Sequence, residues 1–183
     1  GAFVMGSVGR LVPIKRYEEL LWCHAVLRHK KGMQRLITCI VGDGPEKERL
    51  QQYALTLDIA DEVLFLGHRD DVYSIFPLFD CFVQSSQSEG LSYAVLEALC
   101  FGLPIIVSEE RGTHAIITDQ EHGFVVPARS GGRGLACAVA RLWRFPERYR
   151  GIKDKNIALV QHDYARSTMV ARYHALYTHH GSA

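Results

Sequence analysis

The segment that decides the fold opens the chain, where residues 3–9 read Phe3-Val4-Met5-Gly6-Ser7-Val8-Gly9. This short apolar run stops at a glycine and therefore predicts a buried β-strand. Residues 16–29 follow, with apolar side chains recurring at helical spacing, and predict an amphipathic helix. The order strand, loop, helix is the first unit of a βα repeat.

The remaining chain continues the same alternation. Further strands are predicted at residues 36–41, 63–66, 81–84, 105–107 and 124–126. Helices are predicted at residues 45–57, 70–77, 91–101 and 114–118, and in two or three pieces after residue 126. The pattern predicts an α/β fold, a Rossmann-like doubly wound parallel sheet of about six strands with helices on both faces. In such sheets ligands bind beyond the carboxyl ends of the strands, so the loops at Gly9, Gly42, Gly67 and Gln84 are the candidate sites.

Composition narrows the functional classes. The chain has 183 residues and a formal charge of +1, so no overall basic field points to nucleic acid. Its five cysteines form no C-x-x-C pair, which is typical of reduced thiols in a reducing compartment. No apolar run is long enough to span a membrane. We expect a cytoplasmic domain, excised from a longer protein because no initiator methionine leads it.

The loop after the first strand carries two cations, Arg10 and Lys15, around Pro13 and just before a helix. A guanidinium offers a planar fork of donors and an ammonium a compact charge, and both suit a diphosphate. Two ordinary solvated cations are the alternative interpretation.

The loop after the fourth strand is polar and runs into a helix. It contains Glu89 and Gly90, and Glu97 follows inside the helix. Free N–H groups and the positive end of the helix dipole make such a helix start an anion site. A carboxylate can accept two hydrogen bonds, as a sugar diol requires. The alternative is a pair of surface glutamates.

Other familiar sites are not supported. Gly42-Asp43-Gly44 begins a dinucleotide pattern, but Lys47 stands in place of its third glycine and the loop follows the second strand. The sequence has no Walker A, Asp-x-Asp or H-E-x-x-H motif. The adjacent Asp70 and Asp71 are interpreted as helix caps, with Asp70 as the N-cap. His68 follows a strand end, where it either lines a pocket or is an ordinary surface histidine.

In this order, the segments resemble the carboxyl-terminal domain of glycosyltransferase family 4, the retaining family with the two-domain GT-B fold. The resemblance covers nearly the whole chain. Its motifs are Gly9-Arg10-Leu11 with Lys15, Ile40-Val41-Gly42-Asp43-Gly44-Pro45, Val63-Leu64-Phe65-Leu66-Gly67, Ser88-Glu89-Gly90-Leu91, Leu96-Glu97-Ala98, Gly102-Leu103-Pro104-Ile105-Ile106 and Gly123-Phe124-Val125-Val126-Pro127. The two glutamates with seven residues between them, followed by Gly-Leu-Pro, are the most specific part.

The resemblance implies a role for each motif. Arg10 and Lys15 would bind the donor diphosphate and stabilise the leaving nucleotide, Glu89 would bind sugar hydroxyls, and Glu97 the ribose hydroxyls. The backbone of Gly9 and of Gly90, Leu91, Ser92 and Tyr93 would approach the phosphate or the sugar. Gly67, His68 and Arg69, with Ser86 nearby, would lie near the base. No cofactor or metal is implied, and the donor substrate would be a nucleotide-diphosphate sugar, usually of uridine or guanosine.

The resemblance also divides the chain. Residues 1–162 correspond to the nucleotide-sugar-binding domain, and residues 163–183 to a crossover helix and tail that return to an amino-terminal acceptor domain, the expected partner. One family stretch is altered, since Arg111-Gly112-Thr113-His114-Ala115 lacks the usual proline and glutamate. Peripheral association of the full-length enzyme with the cytoplasmic membrane face is compatible with this expectation.

The expected activity is hexose transfer to a glycan or lipid acceptor, in glycoconjugate or polysaccharide synthesis. We expect the isolated chain to be inactive, because the active cleft of the family needs both domains. Two alternatives remain open at this stage. One is a module that binds a nucleotide sugar without chemistry, and the other is half of a phosphosugar epimerase-like protein.

Overall fold

The structure is a computed structural model that describes residues 1–109 and 116–179. The described strands are β1 (Phe3–Val8), β2 (Leu36–Val41), β3 (Val63–Gly67), β4 (Cys81–Gln84), β5 (Ile105–Glu109) and β6 (Gly123–Pro127). They form one parallel sheet in the order β3-β2-β1-β4-β5-β6. The predicted α/β class and doubly wound sheet are confirmed.

Helices cover both faces of this sheet. Helices α1 (Tyr17–Lys30), α2 (Lys47–Thr56) and α5 (Gly131–Arg144) pack on one face, and α3 (Val72–Ile75), α4 (Tyr93–Cys100) and α6 (Ile152–Asp163) on the other. Successive strand residues alternate between the two cores. In β4, for example, Cys81 and Val83 belong to the first core and Phe82 to the second.

The last helix, α7 (Arg166–His179), stands apart from both cores. Four of its apolar side chains are between 51% and 60% exposed: Met169, Val170, Tyr173 and Leu176. Helix α6, in contrast, is anchored by the buried Asn156, whose amide donates to the carbonyls of Leu103 and His122 at 2.7 and 3.0 Å. The proposed boundary at residue 163 falls at the last residue of α6.

The start of α3 differs from the prediction. Asp70 is not the N-cap of the next helix, because α3 begins at Val72 with Asp71 in the cap position and without a side-chain cap bond. The carboxylate of Asp71 instead pairs with Arg69. The helix predicted at residues 114–118 and the altered stretch 111–115 fall mainly or wholly outside the described residues.

Three cysteines, Cys23, Cys39 and Cys81, are buried, whereas Cys100 and Cys137 are exposed, and all five are free thiols. Burial raises the pKa of the Cys39 thiol to about 11. In the described part of the chain, no helix combines the length and apolar character that crossing a bilayer requires.

Candidate nucleotide-sugar site

The strand order reverses between β1 and β4, and this reversal places the β1 and β4 loops side by side. The register pairs Met5 with Cys81 and Gly6 with Phe82, so both strands point the same way. Beyond their carboxyl ends, the amide of Gln87 donates to the carbonyl of Ile14 at 2.7 Å. A crevice at such a reversal is where α/β sheets bind their ligands.

Loops after β1 and β2 are locked together through backbone contacts. The amides of Gly9 and Leu11 donate to the carbonyls of Val41 and Asp43, each at 2.9 Å. A Cβ on Gly42 would lie 2.0 Å from the Gly9 carbonyl oxygen, so only glycine allows this approach. Gly42 is therefore required for the conformation of the β1 loop, whether or not it contacts a ligand.

Lys15 and Glu89 form an ion pair that joins the β1 and β4 loops. Their Nζ and Oε1 atoms are 2.5 Å apart, and both side chains are largely but not fully buried. The Lys15 ammonium also lies beside Gly9, 3.8 Å from where a Cβ would stand. Since an ammonium has three donors, Lys15 keeps donors for a second anionic partner. The hydroxyl of Ser85 donates to the Lys15 carbonyl at 2.9 Å and fixes its backbone.

Tyr17 lies under this ion pair and was not anticipated from the sequence. Its hydroxyl would be 3.1 Å from a Cβ on Gly9. Burial raises the pKa of Tyr17, and the negative charge of Glu89 acts in the same direction, so the phenol remains neutral. A side chain at Gly9 would therefore be in tight contact with the Tyr17 hydroxyl.

A cleft of about 480 Å³ opens beside the β1 loop. It brings together four of the residues predicted from the sequence, Gly9, Arg10, His68 and Arg69, which share its wall with Gly42 and Asp43. Gly67 adjoins it, with Asp43 and Lys47 about 3.8 Å from its Cβ position.

Charge is distributed unevenly around this cleft. Arg69 donates to the Asp71 carboxylate from two of its three guanidinium nitrogens, at 2.8 and 2.7 Å, and His68 lies 3.3 Å from Asp70. A hydrogen bond from Lys47 lowers the pKa of Asp43, so that this carboxylate is ionised and engaged. Arg10 is exposed, and within the described residues it has no carboxylate partner. It is therefore the cleft cation that is free to bind an anion.

The β4 loop divides into buried and exposed residues. Ser92 is buried and its hydroxyl donates to the Gln84 side chain at 2.7 Å, which fixes the start of α4. Ser86 is also buried, and its hydroxyl has no hydrogen-bond partner in the described structure. Gly90 faces open space, while Leu91 and Tyr93 are 50% and 75% exposed. Leu91 therefore does not continue the buried Val95 and Leu99 stripe of α4.

Glu97 is half-buried on α4 and faces α3. Its Oε1 atom accepts a hydrogen bond from the Tyr73 hydroxyl at 3.0 Å. Tyr73 follows Val72, which lines the cleft. No local sequence pattern points to Tyr73, because residues 73 and 97 meet only through the packing of two helices.

The described residues offer no metal site, and a second cleft lies apart from the predicted residues. No group of three His, Cys, Asp or Glu side chains there is arranged to hold a metal ion. A larger cleft of about 740 Å³ runs along β6 and α5, with Trp22, Phe124 and Arg133 in its wall. It contains none of the residues predicted for the site, and it lies at the sheet edge instead of at the reversal of strand order.

Comparison with known proteins identifies the family of this chain. The family model described as glycosyl transferases group 1 matches residues 1–156. An uncharacterised glycosyltransferase of Haemophilus influenzae is 32% identical over 91% of this chain and 46% of its own length. A GDP-mannose-dependent alpha-mannosyltransferase of Mycobacterium tuberculosis is 33% identical over 81% of this chain and 36% of its own.

Among solved structures, Anabaena HepE in complex with UDP superposes on all of this chain and 49% of its own, with a TM-score of 0.84 and 21% identity. The chain thus spans less than half the length of each of these three proteins. The sheet order and the match over residues 1–156 lead to one conclusion: the chain belongs to the glycosyl transferases group 1 family and has the fold of one half of a GT-B enzyme.

Proposed function

We propose that this chain is the donor-binding part of a retaining, metal-independent hexosyltransferase. The donor is a nucleotide-diphosphate hexose, of uridine or guanosine, and the acceptor a glycan or lipid in glycoconjugate or polysaccharide synthesis. HepE was solved with UDP and the mycobacterial relative is described as GDP-mannose-dependent, which supports these two bases.

The observation that carries this proposal is the pair of cations after β1. Arg10 has no carboxylate partner within the described residues, and Lys15 has donors left beyond Glu89. Lys15 stands at the reversal of strand order, where its loop meets the β4 loop, and Arg10 lines the cleft beside the β1 loop. A diphosphate placed there gains charge-assisted hydrogen bonds, which are stronger than neutral ones.

The same cations would act on the reaction. When the bond between the anomeric carbon and the diphosphate breaks, negative charge grows on the leaving phosphate, and Arg10 and Lys15 stabilise it. The acceptor oxygen forms the new bond on the same face, and its proton passes to the leaving phosphate. Glu89, held by Lys15, binds sugar hydroxyls, and attack on the same face requires no nucleophile from the protein.

The acceptor binds to a domain outside this chain. In keeping with this, the chain spans less than half the length of the two relatives. The isolated chain then binds the donor nucleotide but does not transfer sugar. The full-length enzyme would work in the cytoplasm or at the cytoplasmic face of the membrane.

The test is calorimetric titration of the chain with UDP, GDP and ADP, with and without EDTA. We expect one nucleotide to bind with the same affinity in EDTA. Replacement of the free cation, Arg10→Ala, should weaken binding by about tenfold or more. Arg35→Ala is the matched control, because Arg35 precedes β2 at the opposite end of the sheet.

Three outcomes would contradict the proposal. They are an absence of binding by both the chain and a full-length protein, binding that EDTA abolishes, and equal losses in the Arg10 and Arg35 variants. Nucleotide-sugar binding by a full-length protein that epimerises its ligand and transfers no sugar would favour the epimerase-like alternative.

A further inference from the structure

Tyr73 makes the one hydrogen bond to Glu97 that the described residues provide. The phenol donates to Oε1 at 3.0 Å, and Oε2 has no partner among those residues. The hydrogen bond to Glu97 raises the pKa of Tyr73, so the phenol stays protonated and remains a donor. Glu97 is also without a cation partner in the described part of the chain, and Tyr73 is therefore what fixes its direction.

The ring of Tyr73 is itself held in place, although it is 59% exposed. It stacks on Phe101 with ring centroids 6.4 Å apart and 25° between the planes. Phe101 in turn stacks on the fully buried Phe76, at 5.3 Å and 17°. This aromatic row links the surface phenol to the core and sets the position of its hydroxyl.

A fixed carboxylate suits a vicinal diol. A glutamate on a helix surface samples several rotamers, and binding must meet the free-energy cost of ordering them. A carboxylate has about four acceptor positions, and Tyr73 uses one of them. Those that remain on Oε1 and Oε2 can accept from two adjacent hydroxyl groups.

We propose that Tyr73 is a positioning residue that holds Glu97 for the two ribose hydroxyls and thereby gives the site its preference for ribonucleotides over dideoxynucleotides. The inference rests on the proposed function, since Glu97 must face a nucleotide ribose. It adds a residue of α3 to a site otherwise built from the β1 and β4 loops and α4.

The experiment compares the affinities of UDP and GDP with those of their 2′,3′-dideoxy analogues. Four forms of the chain are titrated: the unchanged chain, Tyr73→Phe, Glu97→Gln and the double variant. Tyr73→Phe keeps the aromatic row and removes only the hydroxyl. We expect it to weaken the ribonucleotide by about fivefold, the analogue by less than twofold, and to have no further effect when Glu97→Gln is present.

Tyr53→Phe, on α2, is the control for the loss of a phenol elsewhere, and thermal unfolding of each variant reports its folding. Equal weakening of the ribonucleotide and the dideoxy analogue by Tyr73→Phe would overturn the inference, as would additive effects of the two substitutions. If the unchanged chain and a full-length protein bind no nucleotide, the proposed function fails first. If they bind and Glu97→Gln matters while Tyr73→Phe does not, only this inference fails.

Discussion

His24 is an imidazole placed wholly inside the domain, on the buried side of α1. Its Nδ1 lies 2.7 Å from the Thr38 hydroxyl on β2, and its Nε2 lies 3.0 Å from Glu62. Glu62 also accepts from Arg28 at 2.7 Å. Burial would raise the pKa of Glu62, but the hydrogen bonds from Arg28 and His24 outweigh it and lower that pKa.

Two effects oppose each other at His24. Burial lowers its pKa below 6.5, while Glu62 favours the charged ring and Arg28 opposes it. Burial dominates because the ring is fully enclosed, whereas the Glu62 carboxylate is a quarter exposed and its field is screened. The neutral ring, donating from Nε2 to Glu62 and accepting from Thr38, is therefore the folded form.

This network makes stability depend on pH in a predictable direction. The unfolded chain takes up a proton near the ordinary pKa of 6.5, and the folded chain does so only at lower pH. The contribution of His24 is therefore complete above pH 6.5 and is lost as the pH falls below it, with a slope of at most about 1.4 kcal/mol per pH unit. Urea unfolding between pH 7.5 and 5.5 should show this decline.

His24→Gln removes the titrating ring and should flatten the pH dependence, whatever it does to absolute stability. His122 is the second buried histidine whose pKa burial lowers, and its Nδ1 accepts from the Thr118 amide at 3.1 Å. His122→Gln is thus the matched variant and should remove a separate part of the slope. A slope that stays unchanged in both variants would mean that neither buried ring carries the effect.

Some residues of the candidate site could be predicted from the sequence, and others could not. Arg10, Lys15 and Glu89 could be found because each lies in a loop directly after a predicted strand, and α/β topology places such loops together. Tyr73 and Tyr17 could not be found in this way. They act through contacts across helices, 24 residues away in the case of Tyr73, and no local pattern encodes such a contact.

At the scale of elements, the cores of the strands were predictable because each is a short apolar run that ends at turn residues. The first residues of the helices were harder to predict. The helices predicted from residues 45, 70 and 91 begin two residues later, at Lys47, Val72 and Tyr93. The residues just before each helix make loop contacts instead. The Glu46 amide donates to the Leu11 carbonyl, Arg69 binds Asp71, and Ser92 binds Gln84.

Strand β6 shows how the fold ends a sheet. On its free edge the Val125 amide donates to the Asp119 carboxylate at 3.0 Å, and the Gly123 carbonyl accepts from the Gln120 amide at 2.8 Å. Pro127, at the end of the strand, has no N–H to offer. Such devices prevent an edge strand from pairing with another chain.

Removal of the Asp119 carboxylate should destabilise the edge strand β6. We expect Asp119→Ala to lower the free energy of unfolding by about 1 kcal/mol, because one backbone hydrogen bond exchanges for water, and to promote self-association. Urea unfolding and light scattering over a range of concentrations measure the two effects. Asp119→Asn retains an acceptor oxygen and should behave much like the unchanged chain; a matching loss in both variants would point to the charge of Asp119 instead of its hydrogen bond.

At the scale of the whole molecule, the described residues form one six-stranded sheet between two cores, and α7 lies outside both. The two cores enclose the faces of the sheet, and Asn156 ties α6 to the loops before β5 and β6. Helix α7 is joined to α6 through exposed contacts, such as Arg172 with Asp163 at 3.0 Å. Exposed ion pairs of this kind contribute about 0–1 kcal/mol.

The sequence resemblance predicts that α7 returns to an amino-terminal acceptor domain, and its exposed apolar side chains are in keeping with that expectation. If it holds, α7 adds little to the stability of this chain. Deletion of residues 166–183 should then change the free energy of unfolding by less than about 1 kcal/mol and leave nucleotide affinity unaltered, since no residue of the site is removed.

A longer truncation serves as the comparison for the deletion of residues 166–183. Deletion from residue 152 onward also removes α6, with the buried Ile152 and the two hydrogen bonds of Asn156, and should cost at least about 3 kcal/mol or prevent folding. Urea unfolding and titration with UDP and GDP compare the two truncated chains with the full one. If the shorter deletion were as damaging as the longer, α7 would belong to this domain, and the division at residue 163 would be wrong. Tolerance of the shorter deletion alone would place the edge of the donor domain after α6 and leave α7 for a partner surface outside the chain.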